Sequence, residues 1–305
     1  MQRIVDGIAY EGKYLDSAFD VRVWECKGHR EISARRVVEW TEIGPAPDWS
    51  HLAALTDAEL EERKLADALE RKEKNLHRAA MRAKTACRRF IKSMGFDEMA
   101  TITYRENQTD EALCKEHLTK WARRMRALIP NFGYCAGYET QDRGAWHVHL
   151  AIYKMPEFVM LKKQLPNGQW RDFKVKGRDI GTVVWRGIVG ADNGLCYVGG
   201  KKKIKNSPAK LAAYVSKYIT KHYEAVPEGK KRYTHSEGGQ VPKVVRERFV
   251  AASLAELIGL CFWLDDGDEV VSHRVGRFKD SYYLCTEPSG WDDLPANEPT
   301  MREAA

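Results

Sequence analysis

Residues 132–153 read FGYCAGYETQDRGAWHVHLAIY, two apolar runs separated by a short polar segment. Aromatic, β-branched and small residues dominate both runs, and turn-forming residues bound them, which is typical of two neighbouring strands. We therefore predict one strand from Phe132 to Glu139 and another from Ala145 to Tyr153, joined by a turn centred on Asp142 to Gly144. Because the connection is so short, the two strands must pair antiparallel.

The second of these strands carries a histidine pair, in Trp146-His147-Val148-His149-Leu150. Alternate residues of a strand face the same side, so His147 and His149 present two imidazoles together. Glu139 lies eight residues before His147, across the hairpin, where its carboxylate can reach the same side. Two histidines and one carboxylate would form an open site for a divalent cation. The alternative is a pair of partly exposed histidines on a polar sheet face.

A helix is predicted from about Pro208 to His222, with its proline at a position allowed in the first turn. Tyr214 and Tyr218 are four residues apart, so their side chains share one face of that helix. Lys217 and Lys221 repeat the same spacing beside them. Nearby lysines favour a phenolate and neutralise a phosphate, as attack on a phosphodiester requires. The alternative is a face of core tyrosines.

Positive charge is concentrated around this helix. The chain carries a net charge of +7, and residues 201–232 alone hold ten Lys and Arg against two Glu, so the remainder is close to neutral. Cations gathered in one segment suit a polyanion such as DNA, although a solvated lysine-rich loop is the alternative. The predicted DNA-binding residues are Lys201, Lys202, Lys203, Lys205, Lys210 and Lys221.

The elements around the histidine hairpin follow from periodicity and turn residues. Met99 to Tyr104 is rich in β-branched residues and predicts a strand, whereas residues 110–129 place apolar side chains along one helical stripe. Residues 156–177 are predicted to form a loop with a possible short helix. Further strands are predicted from Thr182 to Ile188 and from Leu195 to Val198.

Composition divides the chain into four segments. Residues 1–50 are predicted to be an N-terminal extension, and residues 51–95 a charged helical segment that forms one long exposed helix or a helix pair. Residues 96–265 contain the histidine hairpin and the tyrosine helix and are predicted to form one domain. Residues 266–305 are acidic and contain proline, which indicates a partly disordered tail.

The overall composition limits the class of protein. Hydrophobic residues make up 43% of the 305 residues, enough to bury a core. No run approaches the roughly 20 apolar residues of a membrane-spanning helix, so we expect a cytoplasmic protein with no membrane partner. The seven cysteines include no C-x-x-C pair, which favours reduced, packed thiols. No Gly-rich ATP-binding motif with lysine is present, which implies that a host helicase is needed.

In content and in order, these segments resemble the rolling-circle replication initiators of the His-hydrophobic-His (HUH) endonuclease superfamily, particularly those of bacterial phages and plasmids. The first motif of that family, a strand ending in Thr-x-Thr-Tyr, is similar to Thr101-Ile-Thr-Tyr104. The second, a histidine pair preceded by Glu and an Arg-Gly turn, is similar to the segment from Glu139 to His149. The third, a helix with Tyr-x-x-Lys, resembles Tyr214-Val-Ser-Lys217-Tyr218. The resemblance covers about residues 84–240.

The resemblance implies an α+β fold, in which a central antiparallel sheet is flanked by helices as in the ferredoxin-like or RRM-like core of HUH nucleases. Helices would cover one side of the sheet, the active site would lie on the open face, and a helical N-terminal extension would precede the core. The implied function is to nick and rejoin single-stranded origin DNA in a bacterial host cell, together with a host helicase and the replication machinery.

The resemblance also implies roles for individual residues. His147, His149 and Glu139 would hold Mg²⁺ or Mn²⁺ at the scissile phosphate. Tyr214 or Tyr218 would attack, with Lys217 beside them, and a 5′-phosphotyrosyl intermediate would form. The free 3′-hydroxyl would prime DNA synthesis. Two tyrosines would permit two successive transfers, with Tyr214 expected to act first.

Two other interpretations stay open. A relaxase or transposase of the same superfamily would share the chemistry, although relaxases usually carry a third histidine and an N-terminal tyrosine. A non-enzymatic replication or regulatory protein would instead bind nucleic acid through the basic segment, with Tyr197, Tyr214 and Tyr218 as a stacking platform. Such a protein would need neither metal nor covalent capture.

Overall fold

The computed structural model describes residues 1–47, 56–199, 207–221, 231–265 and 268–289. In chain order their elements are β1 (Gln2–Val5), β2 (Ile8–Cys26), β3 (His29–Pro45), α1 (Asp57–Met94), β4 (Glu98–Thr103), α2 (Glu111–Leu128), β5 (Tyr134–Thr140), β6 (Trp146–Ile152), β7 (Phe158–Gln164), β8 (Trp170–Lys176), α3 (Gly177–Val189), β9 (Leu195–Val198), α4 (Pro208–Lys221), β10 (Tyr233–His235), β11 (Val245–Val250), α5 (Leu254–Trp263), β12 (Glu269–Val275) and β13 (Ser281–Glu287). Helices and antiparallel sheets together confirm the predicted α+β class. Within these described ranges, no helix is both long enough and apolar enough to span a bilayer.

The chain divides into two compact units. The first contains Met1–Asn75 and Pro242–Ser289, and the second contains Leu76–Val241. This division differs from the predicted single domain over residues 96–265, because β11 pairs with β2 and thereby draws the segment after Pro242 into the first unit.

The first unit is built on a six-stranded antiparallel sheet in the order β1-β2-β3-β13-β12, with β11 also paired to β2. Its long hairpins turn at two-residue loops. Cys26 pairs with His29, so Lys27 and Gly28 form the loop between β2 and β3, with φ of 52° and 76°. Positive φ at both positions is what a type I′ hairpin turn needs, and glycine supplies it without strain.

One face of this first sheet is apolar and packs against α5. Phe19, Ile32 and Leu284 from the sheet are buried with Leu257 and Cys261 from the helix. The strand alternation turns the intervening residues to the opposite face. This arrangement corrects the predicted helical N-terminal extension, since β1 to β3 make up residues 2–45 and only α1 is helical.

The acidic tail predicted to be partly disordered is in fact ordered over residues 268–289, so the prediction is wrong there. In this segment β12 and β13 complete the first sheet, with β13 paired to β3. Tyr282 and Leu284 alternate with half-buried residues and are nearly inaccessible, so their burial stabilises an ordered strand despite the acidic surroundings. Residues 290–305 of the predicted tail lie outside the described residues.

The charged helical segment is one continuous helix, α1, rather than a helix pair. It ends where predicted, at Gly95, whose φ of +73° lets its N–H bond back to the carbonyls of Ile91 and Lys92. A left-handed glycine of this kind satisfies carbonyls at a helix end that would otherwise lack a partner.

The second unit contains a five-stranded antiparallel sheet in the order β10-β5-β6-β4-β9. The hairpin of β5 and β6 confirms the antiparallel pair predicted from residues 132–153. Its register places Glu139 opposite His147 and Gly137 opposite His149. On the other side of β6, Thr101 of β4 is also paired with His149.

Helices cover both faces of this second sheet, instead of only one as expected. The first face packs on α2 and α3 through a core that includes Ile102, Val148 and Trp185. The second face packs on the last turns of α1 and on α4, through Cys135 and Ala151 among others. Because residues alternate along a strand, Glu139, His147 and His149 share the α4 side of the sheet.

Two element predictions between residues 156 and 189 are wrong. The segment Thr182 to Ile188 is helical, because Ile180, Val184 and Trp185 bury one helical stripe against the first face, and this packing overrides their β propensity. Residues 158–176 form the hairpin of β7 and β8 rather than a loop, turning at Gly168 with φ +82°. Exposed lysines along this hairpin obscured its alternation in the sequence.

Candidate active site on the second sheet

His149 is the most enclosed polar side chain of the candidate site, with 6% of its surface exposed. Its Nε2 lies 2.9 Å from Glu139 Oε2, and its Nδ1 lies 3.3 Å from Thr101 Oγ1. Both ring nitrogens therefore have partners on the two strands that flank β6. Such partners fix the orientation of the imidazole and select its tautomer.

His147 stands two residues before His149 on the same face, and its Nε2 is buried. That nitrogen has no hydrogen-bond partner among the described residues. Burial lowers the pKa of His147, and the nearby His149 lowers it further. The imidazole is therefore neutral near pH 7 and offers a lone pair, the form in which histidine binds a metal ion.

Glu139 links the two strands of the hairpin to α4. Its Oε2 contacts His149, and its Oε1 forms an ion pair with the ammonium of Lys221 at the end of α4. Burial acts to raise the pKa of Glu139, but the hydrogen bonds from Lys221 and His149 outweigh it, so that the pKa is lowered. The carboxylate is therefore ionised at neutral pH. Burial also lowers the pKa of His149, against the opposing effect of Glu139.

The tyrosines of α4 lie directly against the histidine. The ring of Tyr218 stacks on that of His149, with centroids 3.9 Å apart and planes 9° apart. The ring of Tyr214 meets His149 edge-on at 6.1 Å and Tyr218 edge-on at 5.5 Å. The Lys217 ammonium lies 4.3 Å from the centroid of Tyr214 and 4.7 Å from that of Tyr218. Two phenols, an imidazole and a lysine thus form one cluster.

The two tyrosines differ in accessibility. Tyr218 is only 7% exposed, whereas Tyr214 is half-buried. Burial raises the pKa of Tyr218 well above its ordinary value, and a hydrogen bond with Tyr214 adds to this effect. Tyr218 is therefore a neutral phenol in this conformation, and Tyr214 is the one more open to a ligand.

Gly137 explains how α4 approaches the sheet closely enough for this stacking. A Cβ at this position would lie 3.0 Å from the carbonyl oxygen of Val215, tighter than ordinary contact. The helix rests there on its apolar side, where Leu211, Val215 and Ile219 are buried. Glycine at position 137 thus sets the distance between the histidine strand and the tyrosines.

Replacing Gly137 by valine is expected to destabilise the protein by about 1–3 kcal/mol, because the added side chain would overpack against a helix backbone that cannot move locally. The displaced helix should also lose the ring stacking between Tyr218 and His149. Urea unfolding measures the first effect. The matched control is Gly187→Ala within α3, whose Cβ would meet only the flexible end of Arg124. Alanine there should be neutral or stabilising, and equal losses in both variants would contradict a special role for Gly137.

The structure brings most of the predicted site residues together. Glu139, His149, Tyr214, Tyr218 and Lys217 form one contact network. His147 lies on the same sheet face. Among the described residues, however, no group of three His, Cys, Asp or Glu side chains is arranged to hold a metal ion.

The predicted DNA-binding lysines fall into three groups. Lys201, Lys202, Lys203 and Lys205 lie outside the described residues. Lys210 is exposed on α4. Lys221, by contrast, is engaged by Glu139 inside the cluster, so its ammonium acts on a protein carboxylate in this conformation.

Thr101 and Gly137 contribute to the site and were not predicted as site residues. Thr101 belongs to the Thr-x-Thr-Tyr strand, and its position opposite His149 could have been found only by knowing that β4 pairs with β6. Tyr197 of β9 pairs with Thr101, so it faces the same side, and 59% of it is exposed. It offers an aromatic surface beside the histidines.

Comparison with known proteins agrees with this part of the chain. A family model described as replication-associated protein ORF2 matches residues 97–223, which include the sheet from β4 to β9 and all of α4. No curated protein and no solved structure matches the chain. The family match supports a role in DNA replication.

Proposed function

We propose that this chain initiates replication by nicking and rejoining single-stranded DNA at an origin, with a tyrosine of α4 as the nucleophile. The observation that carries the proposal is the cluster in which Tyr218 stacks on His149 while Tyr214 and Lys217 adjoin both rings. Tyrosines of an ordinary core pack among apolar side chains, whereas these two pack against a histidine and a lysine. The match to a replication-associated family supports the same function.

In the proposed reaction, the phenol oxygen of a tyrosine attacks the scissile phosphorus, and the bond from phosphorus to the 3′-oxygen breaks. The phenol proton is released, the 5′-phosphate stays on the tyrosine, and the 3′-oxygen leaves to become a hydroxyl. The Lys217 ammonium stabilises the developing negative charge beside both rings. Attack by a 3′-hydroxyl on the phosphotyrosine reverses the step and rejoins the strand.

The residues present fit a divalent metal in their chemistry. Two neutral imidazoles and an ionised carboxylate share one sheet face, and the buried Nε2 of His147 has no other partner among the described residues. His147, His149 and Glu139 would hold Mg²⁺ or Mn²⁺, whose charge polarises the scissile phosphate. The Lys221 ammonium occupies one carboxylate oxygen of Glu139, so a metal ion would compete with Lys221 for that oxygen.

Tyr214 is proposed to attack first, because Tyr218 is nearly inaccessible and its pKa is raised by burial. Tyr218 would then act in the second transfer, after the bound strand has changed the packing of α4. Two nucleophiles on one helical turn allow a strand to be exchanged without release of the DNA. The proposed location of this reaction is the bacterial cytoplasm, with a host helicase and polymerase as partners.

The test is covalent capture of labelled single-stranded origin DNA in the presence of Mn²⁺, resolved on a denaturing gel. Wild type should give a slowly migrating protein–DNA adduct. Tyr214→Phe and Tyr218→Phe should each retain some adduct, and the double variant should give none, because only the phenol oxygens can form the bond. Phenylalanine preserves the ring packing around His149, so the loss cannot be attributed to a disrupted core.

The matched control is Tyr153→Phe, which removes a phenol oxygen from the other end of the same face, where Tyr153 packs on Phe96. This variant should form as much adduct as wild type. An adduct that persists in the double variant would overturn the assignment of the nucleophiles. Binding without cleavage or adduct under any divalent metal would overturn the enzymatic function itself.

A second candidate function is nucleic-acid binding without catalysis. It is favoured by two observations, the exposed ring of Tyr197 beside the histidines and the ion pair of Lys221 with Glu139, which takes up part of the proposed metal site. A replication protein of this kind would stack single-stranded bases on its aromatic side chains. The gel experiment separates the two, since only the nuclease forms an adduct.

A further inference from the structure

The sheet of the first unit carries a strongly basic face on the side opposite α5. We name it the arginine face and define it by five exposed residues: Arg22, Arg35, Arg246, Arg248 and Arg274. Strand alternation places them there, because their neighbours Val21, Ala34 and Phe249 point into the core below α5. The arginine face lies outside the segment matched by the replication-associated family.

The arginine face is not neutralised from within. Asp20 bonds only Arg248, at 3.2 Å and 3.3 Å. Within the described residues, the other four arginines show no hydrogen bond or ion pair. A groove of about 310 Å³ runs over this face, and its charged lining consists of four arginines, including Arg22, Arg35 and Arg274, against the single carboxylate of Asp20.

Two of these arginines are also placed against each other. Arg22 of β2 and Arg246 of β11 are direct cross-strand partners. Like charges at such a position are destabilising, and pairing with an opposite charge would be the ordinary solution. Asp20 and Arg248, one pair further along the same two strands, show that solution. The uncompensated pair is therefore a position where an external anion would stabilise the sheet.

We propose that the arginine face binds the phosphate backbone of duplex DNA. Arginine suits phosphate because its planar group can donate two parallel hydrogen bonds. Arg22 on β2 and Arg274 on β12 are separated by three strand spacings, or roughly 14 Å. This distance is comparable to the roughly 12 Å width of the DNA major groove, whose two edges are lined by phosphates.

The arginine face is less suited to single strands. Proteins that hold single-stranded DNA combine a basic groove with exposed aromatic rings on which bases stack. The aromatic residue paired into this row of the sheet, Tyr283, is half-buried between Ser33 and Arg274. Charge without exposed rings suits a helix whose bases are already stacked. The first unit would thus hold double-stranded DNA, a different substrate from the single strand proposed for the second unit.

The test measures duplex binding by fluorescence anisotropy over a series of salt concentrations, with the full chain carrying Tyr214→Phe and Tyr218→Phe so that no DNA is cut. Adding Arg22→Ala and Arg274→Ala should reduce the slope of log affinity against log salt by about 2, since each lost phosphate contact accounts for about 0.9. Affinity should fall about 10- to 100-fold at about 0.1 M salt. The changes Arg22→Lys and Arg274→Lys should keep most of the slope, because the charges remain.

The matched control is Lys64→Ala with Lys74→Ala, which removes the same charge from the first unit. These lysines already pair with Glu61 and Glu70 on α1 and should contribute little to phosphate binding. An unchanged slope in the arginine variant, or an equal fall in the control, would overturn the proposal. An equal loss on single-stranded DNA would overturn it too, because the arginine face would then not distinguish duplexes.

This inference does not depend on the nicking reaction. Adduct formation on single-stranded DNA by a chain with intact tyrosines and Arg22→Ala with Arg274→Ala should stay within about two-fold of wild type, since phosphate contacts of the first unit act on the duplex. A chain that binds duplex through the arginine face but never forms an adduct would contradict the proposed function and still support this inference.

Discussion

His149→Ala is expected to reduce cleavage of single-stranded DNA by about 10³-fold or more, which corresponds to about 4 kcal/mol of lost transition-state stabilisation. His149 contacts Thr101, Glu139 and Tyr218 at once. Its removal takes away a proposed metal ligand and also the ring on which Tyr218 rests. Salt-sensitive DNA binding should largely remain, because that binding comes from lysines and arginines elsewhere.

The measurement is the rate of adduct formation under single-turnover conditions, with DNA affinity determined separately by anisotropy. The matched control is His117→Ala on α2, which removes a histidine bonded to the hydroxyl of Tyr104. Its imidazole lies with the core on the other face of the sheet, beside Trp185. Cleavage by this control should stay within a few-fold of wild type. If His149→Ala retains wild-type cleavage, His149 has no part in catalysis.

The central hairpin could be predicted because its signals are local. The antiparallel pairing of β5 and β6 follows from a short turn, and the shared face of His147 and His149 follows from strand periodicity alone. The spacing of Tyr214 and Tyr218 is likewise a property of any helix. For these elements the residues that determine the geometry are adjacent in sequence, so no knowledge of the tertiary fold was needed.

The first unit could not be predicted, because its determinants are far apart in sequence. β3 pairs with β13 across more than two hundred residues, as in Ile32 with Leu284. Neither strand reveals its partner, and the acidic composition of the tail suggested disorder instead. The α3 helix failed for a related reason: β-branched residues in Thr182 to Ile188 favour a strand locally, but Trp185 is buried only when the segment is helical.

The same distinction holds for the candidate site. The residue types of the cluster could be predicted, but not which atoms meet. Lys221 was predicted to face DNA, and only the packing of α4 on the sheet reveals that its ammonium reaches Glu139. Gly137 gave no sequence signal, because its importance comes from the backbone of Val215, seventy-eight residues later.

Glu139→Gln is expected to remove most of the stabilisation that Mn²⁺ gives to the folded protein. The substitution keeps the shape of the side chain but loses the charge that would bind a divalent cation. If the metal affinity falls about 100-fold, the stabilisation at a concentration near 100 times the wild-type Kd should drop from about 2.7 to about 0.4 kcal/mol. Thermal unfolding with and without Mn²⁺ measures this difference within each variant, so the lost bonds to His149 and Lys221 cancel.

Lys221→Met provides the contrasting variant, because it removes the cation that competes for Glu139 and leaves the carboxylate in place. Stabilisation by Mn²⁺ should be equal to wild type or greater, by up to about 1 kcal/mol, the upper range for a largely exposed ion pair. Opposite responses of the two variants would mean that Glu139 serves the metal and that Lys221 takes its place in the metal-free protein. A full Mn²⁺ response in Glu139→Gln would exclude Glu139 as a ligand. Loss of the response in Lys221→Met would instead make the ion pair, rather than the free carboxylate, the requirement for binding.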